Sequence, residues 1–256
     1  MAVVLEARNL NKTFGAVTAA ADISVSVEQD SVVGLIGSNG AGKTTFINMV
    51  TGYLTPSSGS IHYLARDITG LSPRTITGLG IGRSFQIPQL FNTLSVHDNL
   101  QVGVGIAARS RRGSGTNDSE QQQIATLIER FNLAGYRDQA AGLLPEGVRK
   151  LLDIAMAVAG RPNLLLLDEP TSGVSADEKF RLMGMVMEAL KAQGVTVLFV
   201  EHDMEIVSRY THRVLAFYEG RIIADGEPGK VLDDAEVRRY VIGEDIHLQA
   251  GRHAQA

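Results

Sequence analysis

Alternating and uninterrupted apolar segments divide the chain into recognisable strands. Residues 22–28 alternate polar and apolar side chains, which predicts a half-exposed antiparallel strand. Residues 31–36 and 195–200 are nearly all apolar, as is typical of strands buried on both faces of a parallel sheet. The four leucines at 164–167 predict another strand of this kind. The pattern therefore indicates an α/β protein with a mostly parallel sheet and an antiparallel N-terminal part.

Weaker patterns predict the remaining elements. Further strands are expected at 3–8, 60–64, 81–86, 213–218 and 221–225. Helices are expected at 43–54, from Ser72, from Ser95, at 124–131, after Gly147, at 179–191 and at 234–242. We expect a single domain over 1–243, with an α/β lobe (1–87 and 161–243) and an inserted helical lobe (88–160). The polar stretch 109–123 predicts a mobile connection, and 244–256 predicts a flexible tail.

Composition and charge narrow the class of protein. The 256 residues are 44% hydrophobic and 20% charged, which is ordinary for a soluble globular protein. A formal net charge of −4 gives no reason to expect a nucleic-acid partner, and the absence of cysteine excludes disulfides. Residues 1–8 lack the basic head and the long apolar segment of a signal peptide, and no apolar run approaches the roughly 20 residues of a membrane span. We therefore expect a cytoplasmic protein that reaches a membrane only through a partner.

A glycine-rich loop follows the strand at 31–36 and precedes a helix with one apolar face. The loop residues are Gly37, Ser38, Asn39, Gly40, Ala41, Gly42, Lys43, Thr44 and Thr45. This is the G-x-x-x-x-G-K-[ST] phosphate loop in its strand–loop–helix setting. Glycine lets backbone N–H groups turn inward around an anion. Lys43 can reach the β- and γ-phosphates of a nucleotide, and the Thr44 hydroxyl can ligate Mg²⁺.

Two carboxylates follow the leucine strand. Asp168 and Glu169 come directly after 164–167, at the end of a parallel strand where ligands bind. Asp168 can hold Mg²⁺ through water, and Glu169 can polarise an attacking water molecule. Pro170 biases Glu169 away from helical geometry. The pair predicts a magnesium ligand beside a general base.

Two further strands end in candidate catalytic side chains. His202 follows the strand at 195–200, where an imidazole can hydrogen-bond a γ-phosphate oxygen. Gln86 ends the segment 81–86, and its amide can contact water or give an oxygen to Mg²⁺. With Lys43 and Glu169, these side chains form the predicted catalytic set.

The order and spacing of these motifs resemble the nucleotide-binding subunits of ATP-binding-cassette (ABC) transporters over about residues 3–243. The resemblance implies a RecA-like P-loop NTPase fold, ATP and Mg²⁺ as ligands, and transport-coupled ATP hydrolysis. It also implies that Phe14 stacks on adenine, with core packing as the alternative. Finer features at 36–54, 83–91, 95–100 and 236–243 resemble the branched-chain amino-acid importer ATPases. Urea and amide importers and the lipopolysaccharide-export ATPase remain alternatives.

Two features, the signature loop and residue 175, depart from the family pattern. The signature loop, usually L-S-G-G-Q, reads Leu144, Pro145, Glu146, Gly147, Val148. Proline has no donor where the family has a serine hydroxyl, and Glu146 adds negative charge near the expected phosphate. Ser175 stands where the family usually has an aspartate that bridges two subunits. Because each ATP in this family lies between two ATPase subunits, a heterodimer with one intact site is favoured over a homodimer.

The resemblance also implies partners and a location. The partners are a second ATPase subunit, integral membrane permease subunits and, indirectly, a periplasmic solute-binding protein, with no nucleic acid. The chain would then lie in the cytoplasm, peripheral on the inner face of the membrane. Candidate permease-docking residues are Ile87, Pro88, Leu90 and Phe91, with ordinary core packing as the alternative. A P-loop kinase, a non-transport cassette and a regulatory nucleotide-binding module with weak turnover are the rival classes.

Overall fold

A computed structural model describes residues 2–110 and 117–243, together with their side chains except at 107–110 and 117–118. The strands are β1 (Val3–Phe14), β2 (Val17–Glu28), β3 (Val32–Gly37), β4 (Ser58–Tyr63), β5 (Arg66–Asp67), β6 (Ile81–Arg83), β7 (Leu164–Asp168), β8 (Thr196–Val200), β9 (Arg213–Tyr218) and β10 (Arg221–Gly226). The helices are α1 (Lys43–Val50), α2 (Pro73–Leu79), α3 (Val96–Ser110), α4 (Asn117–Arg130), α5 (Glu146–Ala159), α6 (Ala176–Lys191), α7 (Met204–Tyr210), α8 (Pro228–Leu232) and α9 (Ala235–Val237). A π-helical turn, Arg238–Ile242, follows α9.

The described strands form two sheets. One is antiparallel, with the order β2-β1-β4-β5. The other has the order β10-β9-β3-β8-β7-β6, and its neighbouring strands are parallel from β9 to β6, while β10 is antiparallel to β9. Because parallel strands end at the same edge, the carboxyl ends of β3, β6, β7 and β8 meet along one edge of this sheet.

The parallel sheet is buried on both faces. Side chains of a strand alternate between faces, and β7 shows this directly. Leu164 and Leu166 pack with α1 and the antiparallel sheet, whereas Leu165 and Leu167 pack with residues of α3 to α7. All four leucines are fully buried. This double burial explains the uninterrupted apolar sequence of β7.

Helices α3, α4 and α5 pack against one another and fall between residues 88 and 160. Their apolar residues join the core on one face of the parallel sheet. In the described ranges, no helix is both long enough and apolar enough to cross a membrane.

Several boundaries differ from the sequence prediction. β1 runs on to Phe14, because Phe14 pairs with Val17 across a tight turn. α1 ends at Val50 rather than at 54, since Gly52 has a left-handed φ of 75°. β6 ends at Arg83, because the N–H of Phe85 donates to the Asp153 side chain at 3.0 Å instead of joining a strand.

Of the polar stretch 109–123, which the sequence predicts to be a mobile connection, the structure describes 109–110 and 117–123, and these residues are helical. α4 begins at Asn117. Gln123 Nε2 donates to the Ala159 carbonyl at 2.7 Å, a tertiary contact that composition does not reveal. Residues 111–116 and the predicted tail 244–256 lie outside the described residues.

Candidate functional site

The glycine-rich loop joins β3 to α1 and folds around the Lys43 ammonium. Gly40 and Gly42 have φ values of 80° and 106°, in the region that favours glycine. A Cβ on Gly42 would lie 2.7 Å from the Ala19 carbonyl oxygen, so the loop also needs glycine for space. Lys43 Nζ donates to the carbonyl oxygens of Gly37 at 2.6 Å and Ser38 at 3.0 Å. The backbone of the loop therefore holds the Lys43 side chain in place.

Lys43 lies in the electrostatic field of both predicted acids. Its side chain is buried, and burial lowers the pKa of the Lys43 ammonium. The charges of Glu169 and Asp168 oppose this shift and raise the same pKa. The tips of β3 and β7 therefore bring the predicted phosphate-binding lysine and the predicted carboxylates into one site.

Asp168 is the last residue of β7 and is held by an arginine that sequence reasoning missed. Arg83 Nη2 donates to Asp168 Oδ2 at 3.1 Å, and both side chains are 9% exposed. Arg83 Nη1 also donates to Asn48 Oδ1 at 2.6 Å and to Thr51 Oγ1 at 3.1 Å. Arg83 thereby ties the end of β7 to the helix that follows the phosphate loop.

Glu169 contacts two other residues of the predicted catalytic set. Its Oε2 accepts from Gln86 Nε2 at 2.8 Å, and its Oε1 lies 2.9 Å from His202 Nε2. The Glu169 backbone has a left-handed φ of 49°, unusual for a residue other than glycine. Its N–H donates to the Val200 carbonyl at 3.1 Å, which anchors this turn to β8. The carboxylate thus bridges the two neighbouring predicted side chains.

A second buried carboxylate supports the strand tip that carries His202. Glu201 Oε1 accepts from the N–H and the hydroxyl of Thr171 at 3.0 and 2.7 Å, and Glu201 Oε2 accepts from the His202 N–H at 3.2 Å. Burial raises the pKa of Glu201, and these hydrogen bonds partly oppose the shift. Glu201 therefore joins the end of β8 to the segment after Glu169.

The signature segment lies at the start of α5. Leu144 is buried, Pro145 directly precedes the helix, and Glu146 is its first residue. The Pro145 carbonyl accepts from the Arg149 N–H at 3.0 Å. Pro145 and Glu146, with Gly147 and Val148, border a cavity of about 300 Å³ that Glu178 and Arg181 also line. Glu169, Gln86 and His202 together form the Glu169 cluster. Among the described residues, no hydrogen bond joins 144–148 to this cluster.

Ser175 and Phe14 lie apart from the Glu169 cluster. The Ser175 hydroxyl donates to Glu178 Oε2 at 2.8 Å at the exposed start of α6. Phe14 ends β1 and is 51% exposed, which excludes the alternative of core packing. Lys12 Nζ lies 5.2 Å from the Phe14 ring centroid. Phe14 is therefore an accessible aromatic surface on the antiparallel sheet.

Four charged residues were missed: the buried Lys150, Asp153 and Glu201, and Arg83, whose side chain is 9% exposed. Their common signal is a charge inside an apolar segment. Lys150 and Asp153 are spaced i,i+3 in an otherwise apolar part of α5, and Glu201 directly follows the apolar run of β8. A charge at such a position requires a buried partner, which the sequence does not identify.

Comparison with known proteins identifies the family to which this chain is related. The ABC transporter family profile matches residues 20–172. The branched-chain amino-acid transport protein LivG of Archaeoglobus fulgidus is 34% identical, covering 97% of this chain and 99% of that protein. BraF of Pseudomonas aeruginosa is 32% identical, with 94% and 98% covered. The lipopolysaccharide export protein LptB of Haemophilus influenzae is 33% identical, with 96% and 99% covered.

Solved structures agree as well. An ATP-binding cassette of an ABC transporter superposes with a TM-score of 0.84 at 32% identity, covering 93% of this chain and 98% of that one. A structure of the ADP conformation of such a cassette gives a TM-score of 0.82 at 31% identity, with 95% and 100% covered. The chain therefore belongs to the ABC transporter family and is one of its nucleotide-binding ATPase cassettes. Within that family it is a homologue of the branched-chain amino-acid transport ATP-binding proteins.

Proposed function

We propose that this chain hydrolyses ATP to drive a membrane importer for branched-chain or related amino acids. The observation that carries the hydrolytic role is the Glu169 carboxylate, bonded to Gln86 and His202 beside the Lys43 loop. The relatives named as branched-chain amino-acid transport proteins support import. The LptB relative of Haemophilus influenzae supports a second candidate, lipopolysaccharide export.

The loop 37–45 and Lys43 bind the phosphates of ATP in this proposal. Backbone N–H groups and the ammonium donate to the β- and γ-phosphate oxygens. Phe14 stacks on the adenine ring, for which its half-exposed face is suited. The phosphates thereby meet the carboxylates at the end of β7.

The site also suits Mg²⁺, since its donors are the oxygen ligands that this ion prefers. They are the Thr44 hydroxyl, the Gln86 amide oxygen and the Asp168 carboxylate, with Asp168 acting through water. Asp168 is only 6% exposed at the strand tip, where Arg83 orients it. When bound, Mg²⁺ supplies positive charge that neutralises phosphate oxygens.

Glu169 acts as the general base. It takes a proton from the attacking water as the water oxygen bonds to the γ-phosphorus and the bond to the ADP oxygen breaks. Gln86 and His202 orient the carboxylate by the hydrogen bonds described above. His202 is 41% exposed, so its imidazole can also meet a γ-phosphate oxygen.

The test of this function is Glu169→Gln, assayed in the chain assembled with its co-expressed partners. The rate of ATP hydrolysis should fall on the order of 10²–10⁴-fold, because the amide cannot accept the proton. The ATP dissociation constant should stay near the wild-type value. Equal losses of rate and affinity, or a wild-type rate, would contradict the base role.

The second ATPase subunit is a different chain in this proposal. Pro145 offers no donor to a partner's γ-phosphate, and Glu146 opposes its charge. This chain has the residues proposed for phosphate binding and hydrolysis, from Lys43 to Glu169. A partner chain with an L-S-G-G-Q signature loop would supply the missing side of one strong ATP site. Ser175 lies at the exposed start of α6, where it can contact that partner. Brisk cooperative ATP turnover by the isolated chain would contradict this arrangement.

Permease subunits dock next to Gln86. Ile87 is 73% exposed and Phe91 is 49% exposed, whereas Leu90 packs partly against the core. Ile87→Glu and Phe91→Glu should therefore reduce co-purification of the permease, and Leu64→Glu on the antiparallel sheet is the matched exposed control. Undiminished co-purification of both variants would reject this docking surface.

We infer that the assembled chain lies in the cytoplasm, peripheral on the inner face of the membrane, and that a periplasmic solute-binding protein serves the complex indirectly. The permease and the binding protein select the substrate. Co-purification of the chain with its native partners, followed by their identification, separates import of amino acids from export of lipopolysaccharide.

A further inference from the structure

Lys150 is a buried ammonium on α5 that contacts the backbone of two predicted catalytic residues. Lys150 is only 2% exposed. Lys150 Nζ donates to the Gln86 carbonyl at 2.5 Å, to the Glu169 carbonyl at 3.2 Å and to Ser172 Oγ at 2.9 Å. An ammonium has three N–H donors, so these contacts use all of them.

Lys150 joins the backbone carbonyls of two residues, Gln86 and Glu169, whose side chains are themselves hydrogen-bonded. Gln86 Nε2 donates to Glu169 Oε2 at 2.8 Å, while Lys150 holds the carbonyl of each residue. The Glu169 backbone is left-handed, a conformation that persists only where its surroundings hold it. Its N–H is anchored to Val200 and its carbonyl to Lys150.

Asp153 contacts the segment around Gln86 as an acceptor, whereas Lys150 contacts it as a donor. It lies one helical turn beyond Lys150, and its carboxylate accepts from the N–H groups of Phe85 at 3.0 Å and Gln89 at 2.8 Å. α5 therefore binds the segment 85–89 through donated and accepted hydrogen bonds. Burial lowers the pKa of Lys150 and raises that of Asp153, as expected for charges that the fold places away from water.

We propose that Lys150 is a positioning residue that fixes the backbones of Gln86 and Glu169, so that the Glu169 carboxylate faces the attacking water. Lys150 itself does not touch the substrate. The inference rests on the proposed role of Glu169 as general base. Helix α5, which begins in the signature segment, thereby fixes the position of Gln86 relative to Glu169.

The test compares Lys150→Met with wild type in the full-length chain assembled with its co-expressed partners. Methionine keeps an unbranched side chain only one atom shorter and removes the three donors. The kcat for ATP hydrolysis should fall on the order of 10–100-fold, as displacement of a reacting group does. The ATP dissociation constant should change less than about threefold, since neither loop 37–45 nor Phe14 is touched. Lys191→Met, at an exposed lysine of α6, is the matched control.

A double variant separates positioning from a merely structural role. In the Glu169→Gln background, Lys150→Met should cause no further loss in single-turnover rate, because the group that Lys150 positions is already absent. A further loss of rate there, or a parallel loss of ATP affinity, would overturn the proposal. If Lys150→Met fails to fold, Lys150→Arg replaces it, since a planar guanidinium cannot meet the same three acceptors. Wild-type kcat in Lys150→Arg would then overturn the proposal.

The outcomes also distinguish this inference from the function on which it rests. A wild-type rate in Glu169→Gln alone contradicts the base role and, with it, the inference. A slow Glu169→Gln with a fully active Lys150→Met contradicts only the inference.

Discussion

Arg83 Nη2 lies 3.1 Å from Asp168 Oδ2, and both side chains are 9% exposed. The same guanidinium bonds Asn48 and Thr51, so one cation joins the end of β7, the end of β6 and α1. Arg83→Met would leave the Asp168 carboxylate buried without this partner. The free energy of unfolding in urea should fall by about 3–5 kcal/mol.

The control for this variant is an exposed pair. Arg8 bonds Glu6 on the surface, with side chains 57% and 37% exposed. Arg8→Met should therefore change the free energy of unfolding far less than Arg83→Met. Equal effects of the two variants would show that the Arg83–Asp168 contact contributes little.

Lys43→Ala should impair nucleotide binding itself. The variant removes a charged donor to the phosphates, so the ATP dissociation constant should rise about 10–100-fold. Equilibrium binding of a fluorescent ATP analogue measures this. Glu169→Gln is the comparison, because it should retain affinity while losing rate. Unchanged affinity in Lys43→Ala would remove Lys43 from the phosphate site.

Phe14→Ala tests adenine stacking. Loss of the ring should weaken ATP binding by about 1–3 kcal/mol, the range for aromatic stacking on a base. Binding of inorganic tripolyphosphate, which has no base, should stay unchanged. Val17→Ala is the matched control, since Val17 pairs with Phe14 and is 65% exposed. Equal weakening of ATP and tripolyphosphate would contradict stacking.

Pro145→Ser with Glu146→Gly restores a hydroxyl donor and removes the repelling charge in the signature segment. The purified chain should then gain ATPase activity that rises steeply with protein concentration, because two copies can complete each other's sites. We expect an increase of about tenfold or more, the value of one charge-assisted hydrogen bond. Adding Glu169→Gln must abolish the gain. No gain would show that this segment does not limit the isolated chain.

Glu201 predicts a pH dependence of stability. Because burial raises its pKa above the usual 4.5, the folded chain binds this proton more tightly than the unfolded chain. The stabilisation is complete below the unfolded pKa and is lost as pH rises through the folded pKa. The free energy of unfolding of wild type minus that of Glu201→Gln should therefore fall from pH 5 to pH 8.

Urea denaturation at the two pH values measures this difference. Glu129→Gln, at an exposed glutamate of α4, is the control and should show a much smaller change. A difference that rises with pH would mean that Glu201 is stabilised as a carboxylate in the folded chain.

Local patterns were enough to predict β3, β7 and β8 of the parallel sheet to within one residue. A buried strand is apolar throughout, and a phosphate loop needs glycines at fixed spacing, so both leave a signal in consecutive residues. Asp168, Glu169 and His202 were predicted because Asp168 and Glu169 lie at the end of β7 and His202 lies two residues beyond β8. Gln86 was found as well, although β6 ends three residues before it.

The supporting contacts depend on residues that are far apart in the chain. Arg83 and Asp168 are separated by 85 positions, and Lys150 and Gln86 by 64. A charge within an apolar segment shows that a partner must exist, but only the packing of α5 against the sheet brings Lys150 to the carbonyls of Gln86 and Glu169. The residues proposed to carry the chemistry could thus be predicted from their neighbours in the chain. The side chains that hold them in place required the tertiary structure, because their partners are neighbours only in space.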